Sequence, residues 1–128
     1  MSETPVNVRY MVDDVIVSAD WYVENLGFSR LPNASPAFAA VERGPLRLLL
    51  SGKMSSAGRP MPDGRQPQAG GWNRFQFIVD DIEAEVERLR GRGVQFRNDI
   101  VTGPGGKQIL ADDPSGNVVE LFQPAAWG

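Results

Sequence analysis

The same local pattern occurs twice along this chain of 128 residues, and the repeat limits the folds open to it. Val6 to Val12 alternates between two faces, which is the period of a half-buried strand. Asp14 follows as an N-cap for a helix that Gly27 ends. The alternation returns at Arg74 to Val79, and Asp80-Asp81 again precedes a helical stripe. The chain is therefore predicted to be an internal duplication of strand, helix and three strands.

The remaining elements are predicted from two periodicities: apolar residues at every second position indicate strands, and apolar residues three or four positions apart indicate helices. The first helical stripe is Val15, Ala19, Tyr22 or Val23, and Leu26; the second is Ile82, Val86 and Leu89, with Gly93 closing that helix. Further strands are predicted at Phe28 to Leu31, Phe38 to Val41, Leu46 to Leu50, Gln95 to Arg97 running on toward Val101, Lys107 to Leu110, and Val118 to Gln123. These elements predict an α+β fold with one domain over residues 1–128. Module one covers 5–52, a linker 53–71 and module two 72–124.

The segment from Gly52 to Gly71 differs from both modules in composition. It is rich in Gly, Pro, Ser and Gln, and it has no hydrophobic period. A loop of this length inside a compact domain is either a linker or a functional lid. We favour a linker, because the segment has no aromatic anchor.

The two modules are predicted to pair, because strands this short leave each half with a one-sided core. The apolar face of each opening strand then lies against its own helix. The opposite faces point toward a shared cup and carry Asn7, Arg9 and Met11 in module one and Arg74, Gln76 and Ile78 in module two.

Composition excludes several kinds of chemistry. The chain has no Cys, hence no disulfide, thiolate nucleophile or Cys-ligated metal, and no His, hence no imidazole ligand and no Ser-His-Asp triad. Its net charge of -3 argues against a nucleic-acid partner. No apolar run approaches the roughly 20 residues of a membrane span, and the first ten residues lack the pattern of a signal peptide. We therefore expect a cytoplasmic protein with no membrane partner.

Glu120 is a single carboxylate within the apolar strand Val118 to Phe122, directly after the turn formers of Asp113 to Asn117. An ionised group in such a strand is paired, bound to a metal, or on a solvated face. The duplication places Glu120 on the side of the cup. The residues alone leave these three alternatives open.

The duplicated pattern resembles the vicinal oxygen chelate superfamily, which includes glyoxalases, extradiol dioxygenases, fosfomycin-resistance enzymes and bleomycin-resistance binding proteins. The resemblance covers nearly the whole chain and is carried by motifs within Asp14 to Phe28, Val79 to Ile82 and Asp113 to Leu121. It implies two βαβββ modules that pair into a partly open, mixed-sheet barrel of the glyoxalase kind, with the helices outside.

The resemblance also implies where a divalent metal would bind. Enzymes of the superfamily commonly use a His on the opening strand of each module and a Glu on a closing strand. These positions fall on Asn7, Arg74, Leu48 and Glu120 in this chain, and among them only Glu120 is a good ligand. We therefore expect no metal and no cofactor. A bidentate charge pair between Arg74 and Glu120 is expected in place of the metal.

Three functions are consistent with a glyoxalase-like fold that has a charge pair in place of the metal site. The first is a metal-independent binding protein whose small-molecule ligand contacts Asn7, Arg9, Met11, Leu48, Trp72, Arg74, Gln76, Glu120 and Phe122. The alternative is a lyase or dioxygenase-type enzyme of the superfamily with Glu120 as general base or ligand. The third is an interaction module with a filled cup, and a homodimer is expected in each case. Trp72 and Trp127 also fit ordinary packing or a dimer contact.

Overall fold

The computed structural model describes residues 4–32 and 34–126, so Trp127 lies outside the described residues. The elements in chain order are β1 (Val6–Met11), α1 (Val15–Leu26), β2 (Ser29–Arg30), β3 (Phe38–Arg43), β4 (Leu46–Ser51), β5 (Arg74–Ile78), α2 (Ile82–Gly91), β6 (Gln95–Phe96), β7 (Val101–Gly103), β8 (Gly106–Asp112) and β9 (Val118–Pro124). They form two compact units, Met1–Gly70 and Gly71–Gly128. The predicted α+β class and the repeated strand, helix and strands are confirmed. The pairing of the modules into a barrel stays a prediction.

Both helices begin at the predicted capping residues. The Asp14 carboxylate accepts a hydrogen bond from the Val17 amide at 3.0 Å, and the Asp81 carboxylate accepts one from the Ala84 amide at 3.1 Å. Gly27 caps the end of α1 in the left-handed conformation, with φ of 70°. Neither helix in the described part of the chain is long and apolar enough to cross a membrane.

The sheet of the first unit has the strand order β1-β4-β3-β2, with β1 parallel to β4 and the other pairs antiparallel. Directly paired residues point to the same side of a sheet. The side that packs against α1 carries buried residues from three strands and meets the buried stripe of the helix: Tyr10, Ala39, Val41, Leu48, Leu50, Val15, Ala19, Tyr22 and Leu26. Tyr22 rather than Val23 therefore belongs to the predicted stripe.

The sheet of the second unit has the order β5-β9-β8-β6, with β7 also paired to β8. The strand predicted to run from Gln95 toward Val101 is interrupted. After Arg97 donates its amide to the Leu110 carbonyl at 2.8 Å, the Leu110 amide turns to the side-chain oxygen of Asn98 at 3.0 Å. A side chain thus replaces the backbone partner and ends the ladder.

The segment predicted to be a linker makes hydrogen bonds of its own within the first unit. It contains a single 3-10 turn at Ser56–Gly58. The Gln66 side-chain amide donates to the Gly58 carbonyl at 2.7 Å, and the Met61 amide donates to the Arg65 carbonyl at 2.8 Å. Hydrophobic periodicity could not predict these contacts, because they are hydrogen bonds between polar groups. A linker role for 53–71 stays a prediction.

Candidate functional site

The turn before β9 fixes where that strand begins. The Asp113 carboxylate accepts hydrogen bonds from the amides of Ser115 at 2.9 Å and Asn117 at 2.8 Å. Gly116 supplies the positive φ, 83°, that the turn requires. Asp113 and Asn117 are both buried. Their contacts start β9 at Val118, and the alternation along β9 then sets the face of Glu120.

Glu120 lies on the polar face of the second sheet, which we define as the side carrying Arg74, Gln76, Ile78, Asp112, Glu120 and Phe122. Gln76 is the direct partner of Glu120 across the β5–β9 pair. The opposite side carries the core residues Phe77, Val119 and Leu121. The prediction that Glu120 and the polar residues of β5 share a face is confirmed.

Both carboxylate oxygens of Glu120 accept a hydrogen bond. Arg74 donates from Nε to Oε1 at 2.9 Å, and Gln76 donates from Nε2 to Oε2 at 2.6 Å. The Glu120 side chain is 7% exposed, so its charge is held where water cannot satisfy it. The expected charge pair with Arg74 is therefore present.

The pair is not bidentate, and that detail of the prediction is wrong. Arg74 points Nε at Glu120 and uses Nη1 for the backbone carbonyl of Trp72 at 3.1 Å. Gln76 supplies the second donor to the carboxylate, because its position directly opposite Glu120 brings its amide within reach. The guanidinium thus joins the buried carboxylate to the segment that enters β5.

Trp72 belongs to the same group of contacts. Its side chain is exposed, and the guanidinium carbon of Arg97 lies over its ring at 4.6 Å from the centroid. Arg97 also donates from Nε to Asp112 at 2.7 Å. The sequence reading missed Arg97 and Asp112. Arg97 ends one predicted strand, but Asp112 lies two residues beyond the predicted strand Lys107 to Leu110, and only the β6–β8 pairing brings the two together.

Phe122 and Ile78 are apolar residues of this face, which also carries Leu110 and the buried Val118. Phe122 and Ile78 are direct partners across β5–β9, and Ile78 is 58% exposed. The Phe122 ring packs over Gly105 and Gly106, where its Cζ would lie 3.0 Å from a Cβ added to Gly106. The second unit therefore brings together five of the nine predicted site residues: Arg74, Gln76, Glu120 and Phe122 on one face of the sheet, and Trp72 just before β5.

The other four predicted site residues belong to the first unit. Asn7, Arg9 and Met11 lie on the side of the first sheet that does not carry Tyr10 and Leu50. Arg9 donates from Nη1 to the hydroxyl of buried Ser51 at 2.8 Å.

Leu48 does not lie on that side, and its predicted placement is wrong. It pairs directly with Val8, is fully buried, and belongs to the side that packs against α1. Leu49 pairs with Arg9 in the way that Glu120 pairs with Gln76, so Leu49 is the counterpart of Glu120. A shift of one residue exchanges the two faces of a strand.

The residues present do not fit a divalent metal at the position that the resemblance implies. In the described ranges, 4–32 and 34–126, no three Asp or Glu side chains lie close enough to hold a metal ion. Arg74 occupies one oxygen of Glu120 with a positive charge, and Gln76 occupies the other with an amide donor. A cation placed beside Glu120 would therefore meet a guanidinium and no second carboxylate.

Comparison with known proteins agrees with this fold. The family model described as the Glyoxalase/Bleomycin resistance protein/Dioxygenase superfamily matches residues 5–121. No curated protein sequence matches the chain.

Several solved structures are similar over nearly the whole chain. TnmS3, an antibiotic binding protein from Streptomyces sp. CB03234, is 27% identical with a TM-score of 0.70, covering 98% of each chain. A superfamily member from Sphaerobacter thermophilus DSM 20745 is 25% identical with a TM-score of 0.75, covering 96% of this chain and 98% of the other. Lactoylglutathione lyase from Agrobacterium tumefaciens, at 21% identity and a TM-score of 0.75, covers 98% of this chain and 97% of its own, and shares the fold.

Proposed function

The chain belongs to the glyoxalase/bleomycin resistance protein/dioxygenase superfamily, and on that premise we propose that it binds a small organic molecule without a divalent metal. The proposed site is the polar face of the second sheet. The observation that carries the proposal is the engagement of both Glu120 oxygens by protein donors, Arg74 and Gln76. Glu120 then orients the groups that meet the ligand, and it is not itself a metal ligand.

Two polar groups on this face are oriented and keep unused capacity. Arg74 donates from Nε to Glu120 and from Nη1 to the Trp72 carbonyl, and Nη2 has no partner among the described residues. Gln76 donates from Nε2 to Glu120, and its Oε1 accepts no hydrogen bond in the described part of the chain. Because a carboxylate can only accept, it fixes which end of the Gln76 amide faces away. The face thus offers unused N–H donors on the Arg74 guanidinium and an unused acceptor on the Gln76 amide.

Apolar surface beside these groups supports the same function. Ile78 and Phe122 are the next pair of opposed residues on this face of β5 and β9 after Gln76 and Glu120. Trp72 precedes β5. Small-molecule sites typically combine apolar and aromatic walls with a few polar groups that set the orientation of the ligand. The similarity to an antibiotic binding protein at 27% identity also supports binding.

The enzymatic alternative has less support from the geometry. As a general base, Glu120 would have to take a substrate proton on the second lone pair of an oxygen that already accepts from Arg74 or Gln76, and its side chain is only 7% exposed. Tyr10 on β1 could also transfer a proton by its chemistry, but it is buried on the side of the first sheet that packs against α1. Fold similarity to a lyase does not supply the missing acid or base.

Metal analysis of the purified protein, with thermal unfolding in the presence of Mg²⁺, Mn²⁺ and Zn²⁺, tests the metal-independent part of the proposal. We expect less than stoichiometric metal and no rise in melting temperature. A stoichiometric metal that is lost in Glu120→Gln would overturn it. The homodimer is a separate proposal, and light scattering on the eluting protein decides between one and two copies.

A further inference from the structure

Trp72 is held in place although little of it is buried. The side chain of Arg97 covers one face of the indole, with its guanidinium carbon 4.6 Å from the ring centroid. Trp72 is nevertheless 67% exposed. A ring that is covered on one face and still this exposed presents its other face to solvent. Burial therefore cannot be the reason that the indole is held.

Arg97 is itself fixed by contacts at every nitrogen of its guanidinium. Nε donates to the Asp112 carboxylate at 2.7 Å, Nη1 to the Gly71 carbonyl at 3.0 Å, and Nη2 to the Gly116 carbonyl at 2.9 Å. The side chain is 20% exposed, which strengthens these charge-assisted bonds. Arg97 thus ties the entry to β5 to β8 and to the turn before β9.

The backbone of the Trp72 segment is pinned at two successive carbonyls. Arg97 binds the carbonyl of Gly71, and Arg74 binds the carbonyl of Trp72. An indole held at its backbone and on one ring face loses little further freedom when a ligand contacts the other face. Such pre-organisation removes part of the entropic cost of binding.

We propose that Arg97 positions Trp72 as a stacking surface, and that the ligand of this site is a planar aromatic molecule. The inference rests on the proposed function and names the ligand class for it. The unused donor of Arg74 and the unused acceptor of Gln76 add a second requirement. We therefore propose a ring that carries an N–H beside a C=O, as in an aromatic lactam, because it offers an acceptor to Arg74, a donor to Gln76 and an aromatic face to Trp72.

A matched pair of probes tests the ligand class. 2-Quinolone is a planar aromatic lactam, and its fully saturated bicyclic lactam keeps the N–H and C=O but has no aromatic face. Binding is followed by NMR at the Trp72 indole N–H, the Arg74 Nε–H and the Gln76 side-chain amide. We expect 2-quinolone to bind about 2–12-fold more tightly, which is the range that the usual contribution of an aromatic pair corresponds to. Equal affinity of the two lactams would overturn the stacking inference.

Substitutions separate positioning from general stability. Trp72→Phe should keep the preference for the aromatic lactam, and Trp72→Leu should abolish it. Arg97→Lys keeps the charge but loses the planar fork, so the preference should fall toward one and nitrogen-15 relaxation of the Trp72 indole N–H, which NMR resolves from the other indoles, should show faster motion. Trp21→Phe, on α1, is the control and should change neither quantity. An unchanged preference in Trp72→Leu would contradict the inference even if Arg97→Lys failed to fold.

The two proposals fail in distinguishable ways. If both lactams shift the Arg74 and Gln76 signals equally, the small-molecule site stands and the stacking inference is wrong. If neither lactam nor any member of a broader fragment panel shifts those signals, the proposed function is wrong and the inference falls with it.

Discussion

Gln76 and Glu120 are direct partners across the parallel β5–β9 pair, and the Gln76 amide nitrogen lies 2.6 Å from Oε2 of Glu120. Arg74 lies two residues earlier on the same face and donates to the other oxygen at 2.9 Å. The register of one strand pair therefore decides that a buried carboxylate has two protein donors. That arrangement can be broken one donor at a time.

Removing the charged donor should destabilise the protein. Arg74→Ala leaves the carboxylate of Glu120, whose side chain is 7% exposed, with only the Gln76 amide, and we expect a loss of about 2–3 kcal/mol in the free energy of unfolding. Urea denaturation at neutral pH measures it. Arg88→Ala removes an exposed helical ion pair with Glu85 and is the control, with an expected loss below about 0.5 kcal/mol. Equal, small losses would mean that Glu120 is solvated.

The corrected position of Leu48 predicts unequal effects at neighbouring leucines. Leu48→Ala removes a fully buried side chain and should cost about 2–5 kcal/mol. Leu49→Ala, on the opposite side and only half-buried, should cost clearly less. Denaturation of the two variants under the same conditions makes the comparison. The reverse order would restore Leu48 to the side of Arg9.

Gly106 should not tolerate a side chain, whereas Gly91 should. Gly106 has φ of 145°, and a Cβ there would collide with the Gln123 carbonyl oxygen and the Phe122 ring. Gly106→Ala is therefore expected to cost more than about 1 kcal/mol. Gly91→Ala places Ala in open space at the end of α2 and should add about 0.5–1 kcal/mol. Melting temperatures of the two variants should move in opposite directions.

The contact between Lys107 and Glu83 predicts a pH effect. A 2.7 Å hydrogen bond from the Lys107 ammonium lowers the pKa of Glu83 below its ordinary value. A lowered pKa in the folded state stabilises the protein above the pKa of the unfolded chain, and this stabilisation is lost as pH falls through the folded value. An NMR titration of the Glu83 side chain should show the low pKa in the wild type. Lys107→Gln should raise it, and Lys53→Gln should leave it unchanged.

The elements of each module were predictable because they depend on neighbours in sequence. Asp14 and Asp81 cap helices through amides only three residues away. The alternation of β5 also predicted that Arg74 and Gln76 share a face, and the buried charge rule predicted a partner for Glu120.

The face of Leu48 could not be predicted, because Leu48, Leu49 and Leu50 are identical and give no alternation to read. Arg97 and Asp112 were missed for a different reason. They are 15 residues apart, and their contact depends on β8 returning alongside β6. Periodicity contains no information about which distant strands become neighbours.

The sequence by itself determined the duplicated α+β modules, the N-caps of both helices, and a single carboxylate, Glu120, within an apolar strand of a chain without His or Cys, because local periodicity and composition are sufficient for these conclusions. Only the tertiary structure decided how Glu120 is satisfied. Strand register placed Gln76 opposite Glu120. The path of the chain into β5 brings the Trp72 carbonyl within reach of Arg74, so the guanidinium bonds to both the carboxylate and that carbonyl. Contacts between residues that are distant in sequence depend on this register, because a shift of one residue would move every side chain of a strand to the opposite face of the sheet.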